Sequence, residues 1–163
     1  MYRAGIVTLS DKGAAGERED LSGAVIKEML EEAGFQVVSY RLLPDEKEDL
    51  KAELIRLSDE LECDLVLTTG GTGFSPRDVT PEATLSVADR TAPGIAEAIR
   101  SNSMTVTKRA MLSRAVSVIR GFTLIINLPG SPKAVRESLE YIMDTLSHGL
   151  DILSGRGGEC ARK

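Results

Sequence analysis

The stretch Asp64-Leu65-Val66-Leu67-Thr68-Thr69-Gly70-Gly71-Thr72-Gly73 decides the fold class. Its first six residues form a short run with the character of a strand buried on both faces, as strands of a parallel sheet are. Three glycines within four residues follow at once, and then comes Thr80-Pro81-Glu82, which has the pattern of an N-cap, a proline at the first helical position and a first-turn acid. A buried strand, a glycine-rich loop and a helix in this order predict a βα unit.

The same alternation continues on both sides of this unit. Apolar, β-branched runs predict strands at residues 4–9, 35–43, 64–69, 116–119 and 123–128, and helical spacing predicts helices at residues 21–33, 50–61, 81–88, 95–100 and 135–153. The Gly-bearing connection Arg120-Gly121-Phe122 predicts a hairpin, which adds one antiparallel strand. We therefore expect one three-layer α/β/α domain over residues 1–154, with a mostly parallel sheet, and a flexible tail over residues 155–163.

Composition narrows the class of function. The 163 residues carry 25 acidic and 20 basic side chains, a formal charge of −5, which argues against non-specific binding to nucleic acid or anionic membranes. Cys63 and Cys160 lie far apart outside any CxxC pair, and His148 is the single histidine, so neither a zinc site nor a disulfide is expected. Without a bilayer-length apolar segment, the chain is expected in the cytoplasm.

Ligands of open α/β sheets bind outside the carboxyl ends of the strands. The loops at these ends are Ser10-Asp11-Lys12-Gly13, Pro44-Asp45-Glu46, the segment from Thr69 to Thr80, and the turn Pro129-Gly130-Ser131-Pro132. Glycines at 70, 71 and 73 allow backbone amides to approach an anion closely, although a tight turn also needs glycine. The loop lacks the Gly-Lys-Ser/Thr of a Walker motif, and Pro76 stands where a Rossmann fingerprint needs glycine.

Two acids near these loops each have two interpretations. Asp78 follows the glycine loop, where it can hold Mg²⁺ with substrate phosphates or support the positive end of the next helix. Asp45 matches a capping box with Glu48, yet it also ends the second strand, where it can face Asp78 across the crevice. Ser10 and Asp11, at the end of the first strand, have the same two interpretations as Asp45, a helix cap or a site residue. Five cations lie nearest to these loops in sequence, and each is either a solvated surface charge or a partner for an anionic substrate. They are Arg77, Lys108, Arg109, Arg114 and Lys133.

The motif at residues 68–73, together with residues 76–84, resembles the signature of the molybdopterin adenylyltransferases, a family that includes the MogA proteins and the gephyrin G-domain. The resemblance extends through Leu112-Ser113-Arg114 and residues 127–133, and it includes the segments at Leu9-Ser10-Asp11 and Leu43-Pro44-Asp45. It covers roughly residues 3–153.

This resemblance implies transfer of AMP from Mg-ATP to molybdopterin, giving adenylyl-molybdopterin and pyrophosphate. The family's catalytic, metal-binding aspartates fall on Asp45 and Asp78. Substrate-binding positions fall on Ser10, Asp11, Gly70, Gly71, Thr72, Gly73, Ser103, Ser113, Asn127, Pro129 and Gly130. The resemblance further implies a homotrimer that hands its product to a molybdenum-insertion enzyme.

Two other functions stay open on the sequence. One is that of a MoaB-type relative with the same fold and a redundant activity. The other is that of a trimeric scaffold module that binds molybdopterin without significant turnover. Fold alone does not separate them, because the function of this architecture lies in its loops.

Overall fold

The computed structural model describes residues 1–155 of the chain. Its strands are β1 (Arg3–Leu9), β2 (Gln36–Leu43), β3 (Leu65–Thr69), β4 (Arg90–Thr91), β5 (Ser117–Arg120) and β6 (Thr123–Leu128). Its helices are α1 (Asp11–Ala14), α2 (Leu21–Glu32), α3 (Lys47–Ile55), α4 (Thr80–Ser86), α5 (Pro93–Met104) and α6 (Pro132–Leu153). A π-helical turn, Arg56–Glu60, extends α3, and a 3₁₀ segment, Lys108–Leu112, follows α5.

The six strands form one sheet in the order β2-β1-β3-β6-β5-β4. Strands β2, β1, β3 and β6 are parallel, whereas β5 is antiparallel to both of its neighbours. The predicted hairpin is confirmed, with Gly121 at φ +56° in its turn. The predicted fold class, a mostly parallel α/β sheet with one strand reversed, is also confirmed.

Helices cover both faces of this sheet. One face packs the apolar sides of α2, α5 and α6 against alternate sheet residues such as Ile6, Leu67 and Ile126, all of them buried. The other face packs α3 and α4 against the residues between them, such as Val7, Val66 and Ile125. Because both faces are covered, the central strands have continuous apolar runs rather than an alternating pattern.

The register brings the carboxyl ends of the strands to one level. Thr8 of β1 pairs with Thr69 of β3, and Thr69 pairs with Leu128 of β6. On the other side of β1, Leu9 pairs with Leu43 of β2. The loops that follow these four strands therefore start side by side, around the point where the strand order reverses between β1 and β3.

The structure differs from the sequence prediction in short elements. The loop after β1 contains the single helical turn α1, capped by the Ser10 hydroxyl, which accepts from the Gly13 amide. The sequence does not predict strand β4, because two residues carry no periodicity. Helix α5 is longer than the predicted residues 95–100. Thr80 does not cap α4: it is the first helical residue, and its hydroxyl donates to the Gly70 carbonyl at 2.9 Å.

The predictions for the C-terminal tail and for the two cysteines concern residues that the structure describes only in part. Apart from Gly155, the expected tail lies outside the described residues, as does Cys160. Cys63 is buried and free, and burial raises the pKa of its thiol to about 11. None of the helices described is both long and apolar enough to cross a lipid bilayer.

Candidate active site

The glycine loop lies against the end of β1. Gly70 and Gly71 have φ values of +91° and +71°, in the region that favours glycine. A Cβ on Gly70 would stand 2.3 Å from the Leu9 carbonyl oxygen, and the Gly70 Cα is 3.6 Å from where a Gly130 Cβ would be. Glycine is therefore required at position 70 for both backbone conformation and close approach.

Asp45 lies on one side of this loop. A Cβ on Gly71 would stand 3.1 Å from Asp45 Oδ1. Asp45 Oδ2 accepts from the Asp11 amide at 3.0 Å, and the Asp45 amide donates to Asp11 Oδ1 at 3.0 Å. The N-cap of α3 is Glu46, which makes no side-chain capping bond. The capping-box interpretation of Asp45 is therefore wrong: its carboxylate crosses to the β1 loop instead.

Asp78 lies on the other side. Its Oδ2 accepts from the Ser75 amide at 3.0 Å and would be 3.0 Å from a Cβ on Gly73. The Asp78 charge also acts on Asp45. The two acids thus flank the loop from Gly71 to Gly73, each beside a position that has no side chain.

Two arginines fix the loops that carry these acids. Arg77 donates to both carboxylate oxygens of Asp11, at 2.9 and 3.0 Å, and to Glu46 Oε1 at 2.9 Å. Arg114 donates to the carbonyl oxygens of Gly73 and Asp78, at 2.8 and 2.7 Å, and also bonds to Glu82. Both guanidinium groups are thus hydrogen-bonded within the protein. The sequence had suggested solvated surface charges or ligands for an anionic substrate.

The remaining cations considered from the sequence stay at the surface. Lys108 and Arg109 lie in the exposed 3₁₀ segment, and Lys133 pairs with Glu137 at 3.9 Å within α6. None of the three contacts the glycine loop through a hydrogen bond or ion pair among the described residues.

The pKa values of the acids beside the glycine loop are shifted in opposite directions. The Arg77 guanidinium and the Asp45 amide hold the pKa of Asp11 below its usual value. Partial burial raises the pKa of Asp45, and the Asp11 and Asp78 carboxylates add to that rise. A half-buried acid repelled by a second one is a place where a cation relieves an unfavourable charge.

Asp45 and Asp78 are the acids of this site that could hold a metal ion. Among residues 1–155, no group of three or more His, Cys, Asp or Glu side chains is arranged to hold a metal ion. Asp45 and Asp78 fit the mode in which Mg²⁺ takes one or two carboxylates and completes its shell with substrate phosphates and water.

A pocket of about 510 Å³ opens at the point where the strand order reverses; Gly70 lines it, whereas Asp45 and Asp78 do not. Its size is typical of a small-molecule site. It contains three of the predicted residues, Ser10, Gly70 and Gly130, at the ends of β1, β3 and β6. The Ser22 hydroxyl donates to the Gly130 carbonyl at 2.7 Å, and the Thr69 hydroxyl donates to the Pro129 carbonyl at 2.5 Å. These bonds hold the Pro129-Gly130 turn at the pocket edge.

Other predicted residues do not line this pocket. Asn127 is fully buried: its Oδ1 accepts from the Val116 amide, and its amide group donates to the Thr68 and Thr84 hydroxyls. Ser113 lies beside Arg114 and accepts from the Ala115 amide at 3.3 Å. Ser103, near the end of α5, is likewise absent from the lining, as is Thr72, which is buried and whose carbonyl accepts from the Arg114 amide.

The pocket also contains residues that sequence reasoning missed. Thr8, Arg18 and Asp20 line it, and Tyr40 bonds to Asp20 from behind. Asp20 precedes a helical apolar pattern, which identifies it as an N-cap, and it does accept from the Gly23 amide. The sequence carries no sign that the same carboxylate also faces a pocket.

Comparisons with known proteins identify the family of this chain. Residues 5–148 match the family model described as "Probable molybdopterin binding domain". The chain is 42% identical over 153 residues to the molybdopterin adenylyltransferase of Helicobacter pylori strain J99, covering 93% of this chain and 87% of that one. It is 46% identical over 145 residues to the molybdopterin adenylyltransferase of Escherichia coli K12, covering 87% and 74%.

A solved structure of a relative supports the same family. The molybdopterin biosynthesis enzyme MoaB from Thermus thermophilus superposes with a TM-score of 0.90 at 49% identity, covering 95% of this chain and 98% of that one. The chain therefore belongs to the molybdopterin adenylyltransferase (MogA/MoaB) family of molybdenum cofactor biosynthesis proteins.

Proposed function

We propose that this chain is a molybdopterin adenylyltransferase, a nucleotidyltransferase that moves the adenylyl group of ATP onto the phosphate of molybdopterin and releases pyrophosphate. The observation that carries the proposal is the pair Asp45 and Asp78, which flank the glycine loop at the side-chain-free positions Gly71 and Gly73. Relatives 42% and 46% identical to this chain are named for this activity.

The reaction joins two anions. A phosphate oxygen of molybdopterin forms a bond to the α-phosphorus of ATP, and the bond from that phosphorus to the β-bridging oxygen breaks, so that pyrophosphate leaves. The protein's task is positioning and charge compensation, because phosphoryl-type transfer needs little covalent help. Amides of the loop from Gly70 to Gly73 are suited to the phosphates, because its three glycines carry no side chain and Thr72 is buried.

Asp45 and Asp78 are the residues that would hold Mg²⁺, together with triphosphate oxygens. When bound there, the ion would neutralise charge on the triphosphate. Asp11 orients Asp45 through its amide, and Arg77 in turn fixes Asp11 through two hydrogen bonds. Arg114 holds the carbonyls of Gly73 and Asp78. These contacts keep the two acids in place before substrate arrives.

The test is incubation with molybdopterin and Mg-ATP, with pyrophosphate and adenylylated pterin measured together. We expect the wild type to form both. Asp78→Ala is expected to abolish turnover, a loss of at least about a hundredfold, while retaining the fold and molybdopterin binding. Asp144→Ala, an exposed acid on α6, is the matched control and should turn over normally. Normal turnover by Asp78→Ala would contradict the assignment of Asp78.

A second candidate function is that of a MoaB-type relative or a molybdopterin-binding module without significant turnover. Its support is the 49% identity to the Thermus thermophilus enzyme MoaB, which is as high as the 46% identity to the Escherichia coli transferase. Molybdopterin binding by wild-type protein, with no pyrophosphate formed from Mg-ATP, would favour this function over the first.

We also propose that the protein works in the cytoplasm as a homotrimer and hands adenylyl-molybdopterin to a molybdenum-insertion enzyme. Exposed apolar side chains between α5 and the end of the 3₁₀ segment support an interface there; they are Met104, Val106, Met111 and Leu112. Light scattering coupled to size-exclusion chromatography should give three times the chain mass of 17.5 kDa. A monomer at micromolar concentration would count against the trimer.

A further inference from the structure

A compact polar cluster forms one wall of the 510 Å³ pocket. The Tyr40 hydroxyl donates to Asp20 Oδ2 at 2.5 Å, and the Gly23 amide donates to Asp20 Oδ1 at 2.9 Å. Thr8 Oγ1 belongs to the same cluster: a Cβ on Gly23 would stand 2.7 Å from it, 2.4 Å from Asp20 Oδ2 and 2.3 Å from the Tyr40 hydroxyl. The cluster therefore leaves no room for a side chain at position 23.

Two features indicate that this wall faces a ligand. Thr8 is only 6% exposed, and its hydroxyl lies close to the Tyr40 hydroxyl but makes no hydrogen bond of normal geometry among the described residues. Buried hydroxyls are nearly always bonded, so one at a pocket wall calls for a partner. Asp20 uses two of the roughly four lone-pair sites of its carboxylate. Both Thr8 and Asp20 line the pocket, whereas Tyr40 stands behind them.

The acceptors around Asp20 disfavour a phosphate at that part of the pocket. The Asp20 carboxylate repels anions, and the charge of Glu19 beside it offsets that of Arg18 on the same lining. The acceptors suit N–H donors instead. The glycine loop, which suits phosphate, joins the same lining through Thr69 and Gly70, on the strand next to Thr8. A ligand whose phosphate lies at the loop and whose heterocycle lies at Asp20 matches this polarity.

We propose that Asp20 is a specificity-determining residue that accepts from the amino-bearing edge of a substrate heterocycle, and that Tyr40 is the positioning residue that orients it. This inference rests on the proposed function, which supplies two such heterocycles. The aminopyrimidinone ring of the pterin and the aminopyrimidine ring of adenine both present N–H donors.

The contacts of Tyr40 explain its role. Its hydroxyl fixes one oxygen of Asp20 while the Gly23 amide fixes the other, so the carboxylate has one orientation. Burial, reinforced by the Asp20 carboxylate, raises the pKa of Tyr40 above its ordinary value. The Tyr40 hydroxyl therefore stays protonated, and remains a hydrogen-bond donor to Asp20, over the pH range of the assays.

The test uses Asp20→Asn, Tyr40→Phe and, as a matched control, Tyr141→Phe on the exposed face of α6. Asn at position 20 can still accept from the Gly23 amide, so the helix cap survives. KM for ATP and for molybdopterin is measured separately for each variant, with kcat, and equilibrium binding of each substrate is measured without turnover. Thermal unfolding checks the fold.

We expect Asp20→Asn to raise KM and Kd for one substrate by at least about tenfold, with the other substrate within about twofold. Tyr40→Phe should weaken the same substrate by a smaller factor and leave kcat nearly unchanged. A rise for ATP, with lost preference for ATP over inosine triphosphate, assigns adenine to Asp20. A rise for molybdopterin, with that preference intact, assigns the pterin.

Unchanged binding of both substrates by folded Asp20→Asn would overturn the inference. So would an equal loss for both, or an effect of Tyr141→Phe matching that of Tyr40→Phe. If the wild type forms no pyrophosphate, the proposed function fails, yet the binding measurements still decide on Asp20.

Discussion

At the scale of single residues, the carboxylate of Asp45 lies partly buried near two other acids, Asp11 and Asp78. Its pKa is raised in the folded chain, mainly by burial. The folded state therefore holds the proton more tightly than the unfolded state does. Ionised Asp45 destabilises the fold above its folded pKa, and this loss is recovered as the pH falls through that value towards the unfolded pKa.

We therefore expect Asp45→Asn to stabilise the protein and inactivate it. The Asn oxygen can still accept from the Asp11 amide, while the unfavourable charge is gone. The free energy of unfolding at pH 8 should rise by about 0.5 kcal/mol, or about 1–2 °C in Tm, and the gain should shrink in acid. Adenylylation should fall at least about a hundredfold. A less stable variant at pH 8 would contradict the charge argument.

Gly70 provides a second test at this scale. Gly70→Ala places a Cβ 2.3 Å from the Leu9 carbonyl oxygen at φ +91°, whereas Gly16→Ala meets open space at φ +76°. Both variants carry backbone strain of about 1–3 kcal/mol, and only the first must also move β1. Urea unfolding should show Gly70→Ala as clearly the less stable. Equal losses would mean that conformation alone, not close approach, requires glycine there.

At the scale of elements, the loop between β3 and α4 depends on Arg114. Its guanidinium bridges the Gly73 and Asp78 carbonyls, a geometry that lysine does not reproduce. Arg114→Lys should speed hydrogen exchange at amides of residues 72–78 and lower kcat/KM about tenfold, as for loss of about 1.4 kcal/mol of positioning. The control is Arg120→Lys, which loses the two-bond pairing with Asp59 and makes no hydrogen bond to the loop in the wild type. Equal rates of hydrogen exchange at residues 72–78 in both variants would show that Arg114 does not hold this loop in place.

Elements also show what the sequence can predict. The long strands and helices were predictable because burial on one or both faces imposes a period on their residues. The turn α1 and the two-residue β4 were not, because neighbours rather than periodicity hold them. The candidate site divides in the same way. The sequence predicted the loops that carry Asp45 and Asp78, but the Arg77 bond to Asp11 spans 66 residues and has no local signal.

At the scale of the whole molecule, the parallel sheet converts distant sequence positions into one site. The ends of β1, β2, β3 and β6 meet because their register aligns them, so four loops reach one crevice. The consequence of this arrangement is concentrated negative charge at the crevice mouth, in a chain of formal charge −5. An anionic substrate therefore needs a counterion to enter.

This need leads to a prediction for the stability of the whole fold. A ligand that binds only the native state stabilises it by about 2.7 kcal/mol at a hundred times its Kd, or about 5–10 °C in Tm for a chain of this size. We expect Mg-ATP to give such a shift in thermal unfolding. ATP with a chelator should give much less, because Asp45 and Asp78 repel the free triphosphate. Asp78→Ala should lose most of the Mg²⁺-dependent part, whereas Asp144→Ala should keep it. A shift of full size without Mg²⁺ would mean that the two acids do not hold the ion, and that the glycine loop binds the phosphates alone.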